Sequence, residues 1–582
     1  MIKKIIKAPE LYCVLLLVVG VILCNVLQIK VKNVVLTQNG VQQEIALPLL
    51  EKLGNGAVFK VSFDVEQKIN SPFEMRVVPD DCAEVVTING KAEYLGDING
   101  HCDYVGGFTL PDSTISKHRN GLTNHFEFKI RNGGGSAGIT VFPKEKTPVY
   151  SLVRGFTFAL LAILFLFLAR RFGLSKWLCL LVLIGVSIRC LFFAVTPYTD
   201  YANDVDGHVA YVRYIAENVA IPDKNSCWTC YHPPVYYTMA VPSLKIAEWT
   251  GVPGTSGLQI FSLVLSVLTL FLGLLLIRHV LKGRALGLAA TLWTLWPILI
   301  MIAPRIGNDQ MFIFLHVFCM WAGINYLEKG RGKYLILAAI ATAMAYWTKS
   351  TAIVTLGVFS LFAVSGYFLN ARSLRPTKSE VVAWILFALT LIGIITQKLL
   401  TGSELVGNVN ALNHRLMVGN DFANYVYFDL ESYLKNPFTS AWNDSLGRQY
   451  FWNYALKSSL FGEFNLINTH AARVLASIIG TSLLGLLVYA IRGLWNMKLA
   501  VKDLILLLNG IVFIAALMSF RMMAPYACSN DFRYVVPALL SLVVFVAKGV
   551  YVEKGSVKWR VLGNALVFVF ALSTVILYIL AI

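Results

Sequence analysis

Four carboxylates gather within one short stretch of a chain that is otherwise poor in acid. "PYTDYANDVDGHVAYV", Pro197 to Val212, carries Asp200, Asp204 and Asp206 beside His208, with Glu217 just downstream. A carboxylate at the edge of an apolar segment can take the proton of a hydroxyl as a general base. The Asp-x-Asp-x-His spacing also suits a divalent cation such as Mg or Mn held through oxygens, which makes Asp204, Asp206 and His208 candidate metal ligands. Apolar residues recur at helical spacing after Asp204. A helix starting there sets Asp204 and His208 on one face, with Tyr211 a turn further on, and turns Asp206 toward the helix start. Capping accounts for one acid, not for three beside a histidine.

Cations stand in other loops and at helix edges. "APRIGNDQMF" holds Arg305, Asn308 and Asp309, "AYWTKSTAIV" holds Lys349, and "SNDFRYVVP" holds Asp531, Arg533 and Tyr534. Charges beside membrane segments are rare and usually face a bundle interior or a wet cavity, and Arg189 is a further example. Lys349 and Arg533 read as anion ligands, one a point charge and the other a bidentate fork. Arg305 reads instead as a side chain that snorkels to the interface. "LGRQYFWNYALKSSLFGEF" brings Arg448 and Lys457 among aromatics, the pattern of an interfacial amphipathic helix that shapes an acceptor entrance or acts only as a lid or anchor. In "CWTCYHPPVYYTM", Cys227 and Cys230 lack the second Cys or His pair of a zinc site. They read as a local disulfide, or as partners of another cysteine such as Cys528. His232 in the same stretch either lines a pocket or is a satisfied surface histidine. Carboxylates on one segment and cations on several others suit a phosphorylated lipid donor. The cations hold the departing phosphate while a carboxylate deprotonates the incoming hydroxyl.

The elements that must position these groups are membrane helices. The chain has 582 residues, 57% hydrophobic and 14% charged, more apolar than a soluble fold requires. Apolar runs of roughly 18 residues or more recur, long enough to cross a bilayer. About 13 spans are predicted: one within residues 1–29, one near 150–169, and others near 177–195, 257–277, 285–303, 311–327, 334–347, 351–369, 381–400, 472–492, 503–520, 534–551 and 559–581. Every second loop is short and basic ("RHVLKGRA", "EKGRGK", "NARSLRPTK", "RGLWNMKLAVK", "VEKGSVKWR"), which assigns those loops and the N-terminus to the cytoplasm. Loops 29–149, 196–256, 304–310, 401–471 and 521–533 then face outward, and the carboxylates with them. The net charge of +17 is explained by these orienting loops, so no nucleic-acid partner is implied. Nucleotide sugars are not expected on the outer face.

Residues 30–149 read as an extracytoplasmic β domain. "FKVSFDV" and "HFEFKIR" alternate apolar and polar residues with the period of half-buried strands. Asn89-Gly90 lies between two such runs and signals a type I′ hairpin. "RNGGGSAG" is a turn-rich connection, and Cys82 and Cys102 are placed to form a disulfide in an oxidising compartment. The spacing fits a β-sandwich or jelly roll, and the domain resembles galactose-binding-like jelly rolls. It is either a carbohydrate-binding module or a structural spacer.

"DYANDVDGHVAYVRYIAENVAIP…YHPPVYYTM", followed by "GNDQ", "TKSTA" and "DFRYVVP", resembles the GT-C superfamily over residues 177–582. The likeness is to bacterial relatives of the protein mannosyltransferases and to the lipid A aminoarabinose transferase. The resemblance implies an integral membrane glycosyltransferase that uses a polyprenyl-phosphate-linked sugar, in the bacterial inner (cytoplasmic) membrane with its site toward the periplasm. The catalytic acid of that family matches Asp204, four residues before His208. Relatives often read D-E-x-x-H, whereas this chain has Val205 and then Asp206, so Asp206 is the alternative base. The resemblance further implies that Lys349 and Arg533 contact the donor phosphate and that Asp309 shapes the site. Some members use a divalent metal and others do not. The reading is thus inverting transfer to a hydroxyl of a glycan, lipid or protein, with His208, Tyr211, His232, Arg448, Lys457 and Tyr534 as further substrate contacts. A diphosphate-lipid-dependent polymerase or ligase, and a transporter, are the rival readings.

Overall fold

The fold is described from a computed structural model. It covers residues 9–582 apart from 46, 48, 53–55, 81, 96–106, 133–135, 146, 225, 251, 371–375, 402–413, 468, 498–499 and 553–554. Cys102 and the centre of the turn in "RNGGGSAG" therefore lie outside the described residues. The chain divides into two compact units. The first comprises Met1–Phe167, Pro197–Val209 and Pro242–Leu258, and the second Leu168–Thr196, Ala210–Val241 and Gln259–Ile582.

The first unit is built on ten strands: β1 (Lys30–Gln38), β2 (Val41–Glu44), β3 (Leu49–Lys52), β4 (Val58–Glu66), β5 (Phe73–Asp80), β6 (Cys82–Ile88), β7 (Lys91–Tyr94), β8 (Phe108–Leu110), β9 (Thr123–Arg131) and β10 (Ser136–Glu145). They form two antiparallel sheets, ordered β2-β1-β4-β9-β6-β7 and β3-β10-β5-β8. The alternation in "FKVSFDV" becomes an alternation of buried and accessible side chains along β4. On its paired strand β9, Phe126 lies opposite Phe63 and Phe128 opposite Val61. Phe63 stacks against Phe126 and Phe128 with ring centroids 5.8 and 5.9 Å apart. All four are fully buried in a core shared with Met75 and Val77 of the other sheet, and each such side chain contributes about 1.5–3 kcal/mol. Asn89 and Gly90 have φ of 49° and 80°, the two left-handed residues that the hairpin between β6 and β7 requires. Cys82 is disulfide-bonded.

Among the described residues ten helices are long and apolar enough to cross a membrane, beginning with Pro9–Leu27 and ending with Val557–Ala581. Three of the 13 expected spans are shorter. Residues 334–347 and 534–551 correspond to Gly332–Tyr346 and Ala538–Val550. The segment 285–303 is interrupted: Gly283–Leu295 stops at Trp296 (φ −68°, ψ 122°), and Pro297 opens a separate short helix, Pro297–Met301. Proline forces its predecessor out of the helical region, which accounts for the break. In the second unit His470–Trp495 packs directly on Ala538–Val550. A Cβ at Gly549 would overlap the carbonyl of Tyr489, so this close approach depends on a residue without a side chain.

Candidate functional site

The carboxylate stretch belongs to the first unit, where the β domain holds it. Arg76 on β5 donates to Asp200 at 2.6 Å. Phe142, the register partner of Arg76 on β10, meets the ring of Tyr198 edge-on at 5.2 Å, and Thr140 lies 3.4 Å from the Tyr198 hydroxyl. Asp200 is thus occupied as an anchor. Tyr201 and Asp204 follow with φ of 53° and 52°, a region that aspartate tolerates and a bulky tyrosine enters only under strain.

The helix Val205–Asn218 begins one residue later than the spacing predicts. Because Asp204 is left-handed and precedes the helix, Asp204 and His208 do not share a helical face as i and i+4. Asp204 is exposed. Asp206 sits in the first turn, and burial raises its pKa above the ordinary carboxylate range. His208 is buried, and its backbone N–H donates to the Asp204 carbonyl at 3.1 Å. Among the described residues no group of three His, Cys, Asp or Glu side chains gathers to hold a metal ion. Asp204, Asp206 and His208 do not fit one as a set.

In the second unit the cationic residues converge where helices break. Gly307, at φ 154°, starts the helix Asn308–Lys329 and donates its N–H to the Tyr236 hydroxyl at 3.0 Å. Asp309 follows in the first turn. Lys349 lies in an extended break between Gly332–Tyr346 and Ile353–Asn370, and the preceding Thr348 carbonyl accepts from Asn308 at 3.4 Å. That staple brings Lys349 into an ion pair with Asp309. Two single-turn 3-10 segments, Ala527–Asn530 and Phe532–Tyr534, carry the third group. Asp531 caps the second turn by accepting from the Arg533 N–H at 2.9 Å, while the Ser458 hydroxyl accepts from Phe532 N–H at 2.9 Å. The Lys349 ammonium stands 4.8 Å from the Tyr534 ring centre, and the Arg533 guanidinium donates to the Tyr534 hydroxyl at 3.0 Å.

Arg305 corrects the sequence reading. It does not snorkel: its side chain is 4% exposed, and its Nε, Nη1 and Nη2 have no hydrogen-bond partner among the described residues. Its guanidinium lies 5.2 Å from the Phe464 ring centre. Burial pulls its pKa down, opposed chiefly by the carboxylates of Asp531 and Asp309. Burial likewise pushes Asp531 up to about 6, with Arg533 opposing. For Arg533 burial acts downward, but Tyr534, Asp531, Asp309 and Glu463 outweigh it and hold its pKa well above the usual value. Glu463 accepts from the Tyr454 hydroxyl at 2.6 Å. Arg305 was visible in "APRIGNDQMF" but assigned to the interface, whereas nothing around Glu463 in the sequence points to this cluster.

The remaining candidates act as props. Tyr211 is fully buried, stacks on Tyr237 at 3.7 Å, and donates to the His232 carbonyl at 3.3 Å. The His232 ring lies 4.2 Å from that of Tyr231. Arg448 pairs with Asp444 and donates to the carbonyls of Arg415 and Ala441 at 2.9 and 2.8 Å. Lys457 donates to Ser432 and to the Leu446 carbonyl, and burial pulls its ammonium down to about 8. Cys227 and Cys230 form the local disulfide, and Cys528 is a free thiol.

Residues 231–397 match the family described as dolichyl-phosphate-mannose-protein mannosyltransferase. No curated protein matches the chain. Among solved structures it is similar to the oligosaccharyltransferase of Archaeoglobus fulgidus in the apo form, at 18% identity and TM-score 0.39, covering 70% of this chain and 55% of that one. The same archaeal enzyme, AglB, in complex with an inhibitory peptide and a dolichol-phosphate, gives 14% identity and TM-score 0.41, with 69% and 55% covered. The arabinosyltransferase EmbB of Mycobacterium smegmatis gives 10% identity and TM-score 0.36, with 92% and 53% covered. The chain therefore spans about half the length of these structures. The family match carries the resemblance to the protein mannosyltransferases over those residues.

Proposed function

We propose that this GT-C-like membrane glycosyltransferase moves a sugar from a polyprenyl-phosphate donor to an acceptor hydroxyl, with inversion. One observation carries the reading: Arg305 is a buried guanidinium whose three nitrogens lack hydrogen-bond partners among the described residues, near Arg533 and near Asp309, the ion-pair partner of Lys349. A buried guanidinium without hydrogen-bond partners is costly, and its fork matches the oxygens of a phosphate. The matched family is described by a lipid-phosphate-linked sugar, which supports the same donor chemistry.

The acceptor oxygen attacks the anomeric carbon from the face opposite the phosphate. The carbon–oxygen bond to phosphate breaks, and the polyprenyl phosphate leaves with the electron pair. The acceptor proton passes to the carboxylate of Asp204, with Asp206 as the alternative base. Arg305, Lys349 and Arg533 stabilise the charge that develops on the leaving phosphate. Asp309 keeps Lys349 in place through their ion pair. The base assignment rests on the place of Asp204 in the sequence.

The basic short loops support a cytoplasmic N-terminus and a periplasmic reaction face in the bacterial inner membrane. In the β domain the strand orders 3-10-5-8 and 4-9-6-7 support the jelly-roll reading. The test is sugar transfer by purified Asp204→Asn and Asp206→Asn proteins. Loss of turnover in the first, with unchanged folding and donor retention, is the expected result. Near wild-type turnover in Asp204→Asn with loss in Asp206→Asn would move the base to Asp206, and turnover in both would overturn the assignment.

A further inference from the structure

His316 is a fully buried histidine that the proposed chemistry does not use. It lies on the helix Asn308–Lys329 seven residues after Asp309, two turns further in and on the same face. Its Nδ1 stands 2.9 Å from the Thr355 hydroxyl, and its Nε2 stands 2.9 Å from the Asn509 side-chain oxygen. Asn509 donates from Nδ2 to the Ser541 hydroxyl at 3.0 Å and to the Pro537 carbonyl at 3.4 Å. The Ser541 hydroxyl donates in turn to the Leu506 carbonyl at 2.6 Å. All four side chains are buried.

These bonds run in one direction. A carbonyl only accepts, so Pro537 turns the NH2 of Asn509 toward itself and leaves the amide oxygen facing His316. Nε2 of His316 therefore carries the proton and donates it to Asn509. Nδ1 is bare, and the Thr355 hydroxyl donates to it. Among the described residues His316 has no side-chain hydrogen bond within its own helix, and both of its bonds go to other helices. Thr355 belongs to Ile353–Asn370, six residues after Lys349. Pro537 and Ser541 lie at the start of Ala538–Val550, four and eight residues after Arg533. Asn509 belongs to Val501–Met523, whose Phe513 also meets the His316 ring edge-on at 5.0 Å. A Cβ on Gly510 would stand 3.2 Å from the Ser541 Cβ, so the neighbouring glycine lets Ala538–Val550 come this close.

The three helices joined through this imidazole are the ones that follow the interruptions carrying Asp309, Lys349 and Arg533. We propose that His316 is a positioning residue that sets Lys349 and Arg533 at fixed places relative to Asp309, Lys349 through Thr355 and Arg533 through Asn509. A fully satisfied buried polar network specifies one arrangement of the elements that share it. The catalytic consequence rests on the transfer reading above: both cations then meet the departing phosphate without reorganising during the reaction.

The test is amide hydrogen exchange and transfer kinetics on the purified full-length protein. Thr355→Val replaces the hydroxyl by a methyl of similar size, whereas Thr355→Ser keeps the hydroxyl and loses a methyl. In Thr355→Val, exchange over residues 347–352 should rise at least about threefold, while residues 529–536 stay at the wild-type level. Asn509→Leu should do the reverse. His316→Leu should raise both, and Thr355→Val added to it should change nothing further over 347–352. The kcat of transfer should fall at least about tenfold in Thr355→Val and in His316→Leu, and Thr355→Ser should recover both exchange and kcat. Exchange that rises equally over both segments in every variant would mark a packing residue and overturn the proposal. So would a Thr355→Ser protein as impaired as Thr355→Val. Exchange is read without turnover: the selective pattern in a protein whose wild type consumes no donor would keep His316 as the brace and remove the transfer reading. Wild-type turnover with an unchanged kcat in His316→Leu would keep the transfer reading and overturn this one.

Discussion

Arg305 is the residue on which the proposed chemistry turns, and its environment predicts opposite effects on activity and stability. Removing one preorganised donor from a developing oxyanion typically costs about 10²–10³ in rate. Removing a buried guanidinium that makes no hydrogen bond among the described residues, and whose burial outweighs the pull of Asp531 and Asp309, relieves a desolvation penalty. Arg305→Met is therefore expected to lower kcat by about that factor while the unfolding temperature stays level or rises. A fall in both would make Arg305 a structural residue. Asp531 supplies a pH test. With its pKa near 6, its carboxylate is ionised above that pH and sits beside the proposed phosphate site. Protonation on going below pH 6 removes one negative charge, so donor KM should fall as pH drops through about 6. The donor is a phosphodiester and does not itself titrate there. Asp531→Asn should hold the lower KM and flatten the dependence, and an unchanged pH profile in that variant would remove Asp531 from the account. The sequence displayed the ligand types at these positions. Whether Arg305 reached water or lay buried depended on tertiary packing that "APRIGNDQMF" does not encode locally.

At the scale of elements, the site is assembled from interruptions: the glycine before Asn308–Lys329, the extended break at Lys349, and the 3-10 turns at Asp531 and Arg533. Hydropathy marks spans well and marks such breaks poorly, which is why residues 285–303 read as one helix until Pro297 divides them. The period-2 strands and the Asn89-Gly90 hairpin were legible because local chemistry alone dictates them. The clamp of Arg76 and Phe142 on Asp200 and Tyr198 was not, since its partners are distant in the chain, Arg76 and Asp200 by 124 residues. That clamp gives the β domain a mechanical role in holding the stretch before Asp204. Arg76→Ala and Asp200→Ala are each expected to lower kcat several-fold, and the double variant should be no worse than either single one. Both groups are partly exposed, so the coupling should stay within about 1 kcal/mol. Strictly additive losses would show that the pair does not act as a unit.

For the whole molecule, the apolar composition and basic loops made a polytopic membrane protein legible at once, and ten long helices accord with it. The exact number of spans was harder to read, because helices such as Gly332–Tyr346 and Ala538–Val550 are shorter than a full crossing. The central claim is that a lipid-phosphate-linked sugar is consumed and its sugar transferred. The most direct measurement is turnover of a panel of radiolabelled polyprenyl-phosphate sugars by the purified full-length protein with a membrane glycan extract, with and without chelator. The account predicts that one donor is consumed in step with product and that release of polyprenyl phosphate matches it, while the rate with chelator decides whether a divalent metal takes part. A folded protein that consumes none of these donors, or that returns the lipid-linked sugar intact, would contradict it.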